Sequence, residues 1–148
     1  MAANPIRVLF LCTGNACRSQ MAEAFLRAYG GGRFAVYSAG SIPSGVHPMT
    51  VVTMRELGID ASRQTSKHWN LFLNEPPFDY IITVCDNAAR NCPVFPGEGK
   101  RLHWPIDDPA SFVGPPERWA DEFRRVRDEI AERVRRFLKS VGDPDETE

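Results

Sequence analysis

The chain has 148 residues, of which 43% are apolar and 25% are charged, so its composition predicts one globular domain with a substantial core. Its formal net charge of −1 gives no reason to expect nucleic acid or an anionic membrane as a partner. No segment approaches the roughly 20 apolar residues of a membrane span, and the N-terminus does not resemble a signal peptide. We therefore expect a cytoplasmic protein.

Strands and helices are predicted to alternate along the chain. In chain order they are a strand at 6–11, a helix that the glycines at 30–32 end, a strand at 34–38, a helix from about Pro48 to just before Gly58, strands at 78–84 and 101–104, and a helix from Pro115 to about Val141. The predicted buried stripe of the second helix is Val51, Met54 and Leu57. That of the last helix is Trp119, Phe123, Val126, Ile130, Val134 and Phe137.

Such alternation predicts an α/β fold in which helices flank a parallel sheet of about four strands. We expect one catalytic domain over residues 1–142 and an acidic, disordered tail over 143–148. Ligands of parallel sheets bind at the carboxyl ends of the strands. Cys12, Ser38, Cys85 and the segment after His103 all fall at the carboxyl ends of predicted strands, so they should meet at one edge.

The four cysteines are Cys12, Cys17, Cys85 and Cys92. Their number does not suit a disulfide scaffold, and no two of them have the close spacing of a typical zinc site. We therefore expect no metal, and catalysis or simple burial is the better interpretation in a reducing compartment.

Cys12 lies between a predicted buried strand and a predicted helix, and Arg18 and Ser19 follow it. In such a junction the backbone N–H groups of the loop and the helix N-terminus can bind an anion, and the same field favours a cysteine thiolate. Arg18 can grip two oxygens of a tetrahedral oxyanion, and Ser19 can donate to the sulfur. Gly14 and Asn15 suit a loop with unusual φ angles. The predicted oxyanion-binding residues are Thr13, Gly14, Asn15, Ala16, Cys17, Arg18 and Ser19. The side chain of Cys17 is expected to serve packing.

The segment CTGNACRSQMAEAFL, residues 12–26, resembles the opening of the low-molecular-weight protein tyrosine phosphatase superfamily, which includes the thioredoxin-coupled arsenate reductases. The resemblance implies a four-stranded parallel sheet flanked by helices. It leaves two activities open, because a phosphatase hydrolyses its cysteinyl-phosphate whereas an arsenate reductase uses further thiols.

A second segment, VCDNAARNCP at 84–93, resembles the redox segment of arsenate reductases. The resemblance implies a relay in which Cys12 attacks arsenate, Cys85 attacks Cys12, and Cys92 attacks Cys85. Thioredoxin would then reduce the Cys85–Cys92 disulfide. Two cysteines seven residues apart on a regular helix are about 10 Å apart, so this bond requires the segment to unwind. Protein thiols carry the whole implied reaction, so no organic cofactor is expected, and we expect a monomer.

The same resemblance assigns a general acid in HWPIDDPASF at 103–112. The superfamily places an aspartate before a proline here, which Asp108 matches, while Asp107 is the alternative. A phosphatase of this superfamily commonly carries tyrosine after that pair, and Ala110-Ser111-Phe112 lacks it.

Some arsenate reductases hold a monovalent cation beneath the loop, through residues that match Glu23, Ser38 and Thr65. A further, acidic ligand of that cation would match position 67, where this chain has Lys67. The lysine ammonium can take the cation's place, so we expect little potassium dependence. The three histidines are interpreted as structural or surface residues; they are His47, His68 and His103.

Three functions fit these residues. Arsenate reduction explains the Cys85–Cys92 spacing best. The alternatives are a phosphatase whose extra cysteines protect the nucleophile, and a phosphocarrier or redox sensor that accepts a group on Cys12 without turnover. Arg18, Ser19 and Asp108 disfavour a mere carrier, because they suit the turnover of a bound oxyanion.

Overall fold

The fold is a parallel sheet of four strands with helices packed on it. The computed structural model describes residues 4–86 and 93–142. Its strands are β1 (Ile6–Cys12), β2 (Phe34–Gly40), β3 (Tyr80–Thr83) and β4 (Lys100–His103). Its helices are α1 (Arg18–Gly30), α2 (Pro48–Arg55) and α3 (Trp119–Val141).

The strand order is β2-β1-β3-β4, and every pairing is parallel. The α/β class and the four parallel strands predicted from the sequence are therefore confirmed. β1 is a central strand, and it is apolar on both faces because helices or loops cover both. Its Val8 and Phe10 belong to the core beneath α1 and α3, whereas Leu9 and Leu11 pack on the opposite face with Phe78.

The buried face of α2 agrees with the predicted one at Met54 and differs from it at Leu57. The residues that it buries are Thr50, Thr53 and Met54. Leu57 lies beyond the end of the helix and is 45% exposed, and Val51 is only half-buried. The hydroxyls of Thr50 and Thr53 donate to the Ala16 and Met49 carbonyls at 3.0 and 2.7 Å. Hydrogen-bonded hydroxyls can be buried at little cost, so apolar periodicity alone identified Met54 but missed the two threonines.

The stripe predicted for α3 is correct except at its first residue. Phe123, Val126, Ile130, Val134 and Phe137 are buried in the core. Trp119 is 45% exposed, and its indole N–H donates to the Gly114 carbonyl at 3.2 Å. Trp119 is the first residue of α3, and a turn of 3₁₀ helix at Pro116–Arg118 precedes it.

Within residues 4–86 and 93–142, no helix combines the length and the apolar character that crossing a membrane requires. The acidic tail predicted at 143–148 lies outside the described residues. The single catalytic domain over 1–142 stays a prediction.

Candidate active site

Cys12 is the last residue of β1, and its side chain is 2% exposed. The chain then loops through residues 13–17 and enters α1 at Arg18, so the predicted oxyanion-binding residues all lie in this loop and the first turn of α1. The loop stands at the carboxyl edge of the sheet, where parallel α/β folds bind ligands. The N-terminus of α1 adds partial positive charge at the same place.

The sulfur of Cys12 is held by two groups from the loop and helix. The Asn15 backbone N–H donates to it at 3.2 Å, and the Ser19 hydroxyl lies 2.8 Å from it. The Asn15 side-chain amide also donates to Ser19 Oγ, at 2.8 Å. Because Ser19 Oγ accepts that bond, its own hydrogen can point to the sulfur. Sγ can therefore accept two hydrogen bonds, one from the loop and one from the first turn of α1.

Asn15 is the residue that gives the loop its shape. Its φ angle of 47° is in the left-handed region, as expected for one of the two residues assigned unusual backbone angles. Gly14 does not have the unusual φ that was predicted for it, because its φ is not positive. A Cβ at Gly14 would stand 2.9 Å from the Ser44 hydroxyl, which is the end of a side chain that can rotate away.

Arg18 is buried behind the mouth of the loop. Its Nη1 donates to the Ile106 carbonyl at 3.0 Å, and its Nη2 lies 3.7 Å from the Asp108 carboxylate. Its Nε is buried and has no hydrogen-bond partner within the part of the chain that the structure describes. A buried guanidinium nitrogen is costly to leave unpaired, so this donor fits an anionic ligand.

A cavity of about 230 Å³ opens over Cys12. We call it the front cavity. Its lining includes the packed Cys17 and four other ionisable side chains, which are Cys12, Arg18, His47 and Asp108. Asp108 has the half-exposed position expected of a group that exchanges protons with water, whereas Asp107 points away to Arg125, 3.5 Å distant. The geometry thus separates the two aspartates that the sequence leaves adjacent.

Behind the loop lies a hydrogen-bonded group that we call the rear network; its members are Asn15, Glu23, Ser38, Thr65 and Lys67. The Asn15 amide donates to Ser38 Oγ at 3.0 Å, and the Ser38 hydroxyl donates to Glu23. The Lys67 backbone N–H donates to Asn15 Oδ1 at 2.8 Å, and its ammonium donates to the Thr65 carbonyl. Burial lowers the pKa of Lys67, against the opposing effect of the Glu23 carboxylate.

The remaining cysteines occupy different environments. Cys17 is buried in the core beside Thr50, and its burial raises the pKa of its thiol to about 12. Cys85 follows β3, next to β1 in the sheet, and is fully buried. Among the described cysteines, Cys12 and Cys17 are free thiols and Cys85 is disulfide-bonded. Cys92 lies outside the described residues.

This loop, with its buried arginine and sheet-edge cysteine, lies within a segment that matches a known protein family. The family model described as low molecular weight phosphotyrosine protein phosphatase matches residues 7–146. The chain belongs to this phosphatase family.

Relatives within the phosphatase family carry a different activity in their names. An arsenate reductase of Halalkalibacterium halodurans is 47% identical over 90% of this chain and 95% of its own length. A solved structure of an arsenate reductase in the phosphate binding state is 33% identical, with a TM-score of 0.74, over 92% of this chain and 98% of that one. A thioredoxin-dependent arsenate reductase of Corynebacterium glutamicum is 30% identical, with a TM-score of 0.68, over 95% of this chain and 64% of that one.

Two features of this phosphatase-family site are not predicted from the sequence. Gly40, at the end of β2, leaves no room for a side chain: a Cβ would lie 2.5 Å from the Thr13 carbonyl oxygen and 2.9 Å from the Asn15 nitrogen. His47, interpreted as structural or at the surface, lines the front cavity. Gly40 and His47 are both far in the chain from the Cys12 loop that they adjoin. Nothing in the YSAG and GVHP segments themselves indicates that they lie beside this loop.

Within the described residues, no group of three or more His, Cys, Asp or Glu side chains could hold a metal ion. His103 bonds to Thr83 at 2.6 Å on the edge strand β4 and does not line the front cavity.

Proposed function

We propose that this protein is an arsenate reductase that converts arsenate to arsenite through Cys12, Cys85 and Cys92, and that thioredoxin regenerates it. One observation carries the choice of a reductase: Cys85, beside the end of β1, is disulfide-bonded while Cys12 is free. Hydrolysis at Cys12 needs no second redox-active cysteine. The names of the relatives support the same choice.

Arsenate would bind in the front cavity as a tetrahedral oxyanion. The unpaired Nε of Arg18 is a charged donor for one of its oxygens, and the N-terminus of α1 stabilises the negative charge. The cavity of about 230 Å³ is large enough for such an ion.

In the first step the Cys12 thiolate attacks arsenic, which stays in its +5 state while one arsenate oxygen leaves as water. The protons for that water come from the arsenate and from Asp108, which acts as general acid. Asp108 lines the cavity and lies beside Arg18, so it can protonate an oxygen that departs from the bound arsenate.

In the second step the Cys85 thiolate attacks the Cys12 sulfur. The sulfur–arsenic bond breaks, and its electron pair goes to arsenic, which is thereby reduced to arsenite. The two sulfurs lose those two electrons and form the Cys12–Cys85 disulfide. β1 and β3 are neighbours, and Leu11 is paired with Thr83. Cys12 follows Leu11 directly and Cys85 lies two residues after Thr83, so both cysteines are at the same edge of the sheet.

In the third step Cys92 attacks Cys85, which frees the Cys12 thiolate and leaves the Cys85–Cys92 disulfide. Thioredoxin then reduces this bond by thiol–disulfide exchange. Because Cys85 is fully buried, we expect the thioredoxin thiolate to attack the Cys92 sulfur. Such a cycle requires a reducing compartment, so we place the protein in the cytoplasm.

The second candidate is a phosphatase, which the family model favours by its description. It would use the same loop and Cys12, form a phosphocysteine, and hydrolyse it with water. The 3₁₀ turn at Pro109–Ser111 carries no tyrosine beside the cavity, which weakens the case for aryl phosphates.

The decisive assay couples arsenate to NADPH oxidation through thioredoxin and thioredoxin reductase. We expect the wild type to turn over repeatedly and Cys12→Ser, Cys85→Ser and Cys92→Ser each to stop multiple turnover. In a single-turnover experiment Cys92→Ser should still release arsenite and trap the Cys12–Cys85 disulfide, which non-reducing peptide mass spectrometry would detect. Glutaredoxin or glutathione in place of thioredoxin tests the choice of reductant.

Hydrolysis of an aryl phosphate provides the matched control. Cys85→Ser should keep whatever hydrolysis the wild type has, because hydrolysis needs Cys12 and water alone, whereas Cys12→Ser should lose it. Normal repeated turnover of arsenate by Cys92→Ser with thioredoxin would contradict the three-thiol relay.

A further inference from the structure

We propose that His47 is a binding residue of the front cavity, whose Nε2–H donates a hydrogen bond to an oxygen of the bound tetrahedral oxyanion. The inference rests on the oxyanion binding in the proposed function. It assigns a ligand contact outside the loop between β1 and α1.

The tautomer of His47 is fixed by its place in the fold. The residue caps the N-terminus of α2, and its Nδ1 accepts the Met49 backbone N–H at 3.0 Å. A ring nitrogen that accepts a hydrogen bond carries no hydrogen, so the proton of the neutral ring is on Nε2. His47 is therefore a donor at Nε2.

The position of the ring is fixed as well. One face packs on Phe123, with 4.8 Å between ring centroids, and the His47 backbone N–H donates to the Ala16 carbonyl at 3.1 Å. His47 is thereby tied to the loop that surrounds Cys12. It lines the front cavity, and with Nδ1 occupied the polar atom that it can offer to a ligand there is Nε2.

A neutral donor suits this position chemically. Arg18 and the N-terminus of α1 already supply positive charge from one side of the cavity. An anion with four oxygens has acceptors left on its other sides, and a hydrogen bond from a neutral group satisfies one of them without adding charge beside Asp108. Arsenate and inorganic phosphate share this chemistry.

His47→Asn is the variant that isolates the donor. Asparagine is a good helix N-cap, so its Oδ1 can keep the bond from the Met49 N–H while the Nε2–H is lost. The chain offers a matched control in His68, whose Nδ1 accepts the Asn70 N–H at the same 3.0 Å but which is not among the residues that line the front cavity.

The first measurement is the binding of inorganic phosphate to the reduced protein by titration calorimetry. We expect the dissociation constant to rise about tenfold in His47→Asn, the effect of losing one hydrogen bond to a charged group, and to stay within about twofold in His68→Asn. Both variants should unfold near the wild-type temperature. A dissociation constant that is unchanged in His47→Asn would overturn the proposal.

The second measurement uses the wild-type protein, so it does not depend on how a variant folds. Long-range ¹H–¹⁵N spectra of the histidine rings should show His47 protonated at Nε2, and that resonance should shift when phosphate is added while the His68 resonances stay in place. If the His47 Nε2 resonance does not shift when phosphate is added, His47 is only a helix cap and the proposal is overturned. If arsenate is not reduced but His47→Asn still weakens phosphate binding, the proposed function fails and the role of His47 stands.

Discussion

The two sides of the loop at Cys12 are built differently. In the front cavity the buried Arg18 Nε has no hydrogen-bond partner among the described residues, and Asp108 is open to solvent. In the rear network Asn15 makes hydrogen bonds through both atoms of its amide, and Lys67 occupies the space behind it. The front therefore has donors left for a ligand, whereas the rear fixes the loop in the shape that presents them. Changes at the front should alter chemistry, and changes at the rear should alter geometry and stability.

The largest effect is expected at the front, from Asp108→Asn. Asparagine can still accept the Ala110 N–H that Asp108 accepts at 3.0 Å, so the turn should survive while the acidic proton is lost. We expect kcat for arsenate reduction to fall by about 10²-fold, as for other general acids. Asp107→Asn is the control: Asp107 faces Arg125 and should change kcat by less than about twofold. Similar losses in both variants would refute the assignment of Asp108.

The next effect is expected at the rear, from Gly40→Ala. The new Cβ would meet backbone atoms of Cys12, Thr13 and Asn15 at 2.5–2.9 Å, so the loop must move. We expect the free energy of unfolding to fall by about 1–3 kcal/mol and kcat/KM to fall about tenfold. Urea denaturation and the coupled assay measure the two effects. Gly32→Ala is the control, because nothing lies within 4 Å of a Cβ there.

Gly40 also marks the limit of what the sequence predicts. The strands, the helices and the Cys12 loop can be predicted from the sequence, because apolar periodicity and strand-to-helix junctions depend on residues that are close together in the chain. Gly40 and His47 matter through contacts with a loop some 25 to 35 residues away in the chain, which no local pattern records. The burial of Thr50 in place of Leu57 has the same cause: Thr50 donates to Ala16, from a different segment.

Cys12 and Cys17 lie in environments that differ in the same way: one adjoins the ligand cavity and the other is packed in the interior. Cys12 faces the front cavity, whereas burial raises the pKa of the Cys17 thiol to about 12. The folded state therefore holds the Cys17 proton at pH values where the unfolded chain has lost it. Stability from this source is complete below about pH 9 and is lost between about pH 9 and 12, by about 1.4 kcal/mol per pH unit.

Urea unfolding of the reduced protein at pH 8 and pH 10.5 checks this sign. The wild type should lose more stability over that interval than Cys17→Ala, since all other titrating groups are common to both proteins. Parallel losses in the two proteins would contradict a buried, protonated Cys17.

The smallest effect is expected from potassium at the rear network. The Lys67 ammonium donates to the Thr65 carbonyl, and the Glu23 carboxylate accepts from Ser38 and from Arg27, 2.7 Å away. Lys67 and Arg27 therefore already place positive charge near Glu23, and a further cation would be repelled. Replacing sodium by potassium at constant ionic strength should change the rate by less than about twofold. A several-fold activation would contradict the role assigned to Lys67. Lys67→Asp sharpens the test, because removing the ammonium and adding a carboxylate beside Thr65 should make the rate respond to potassium.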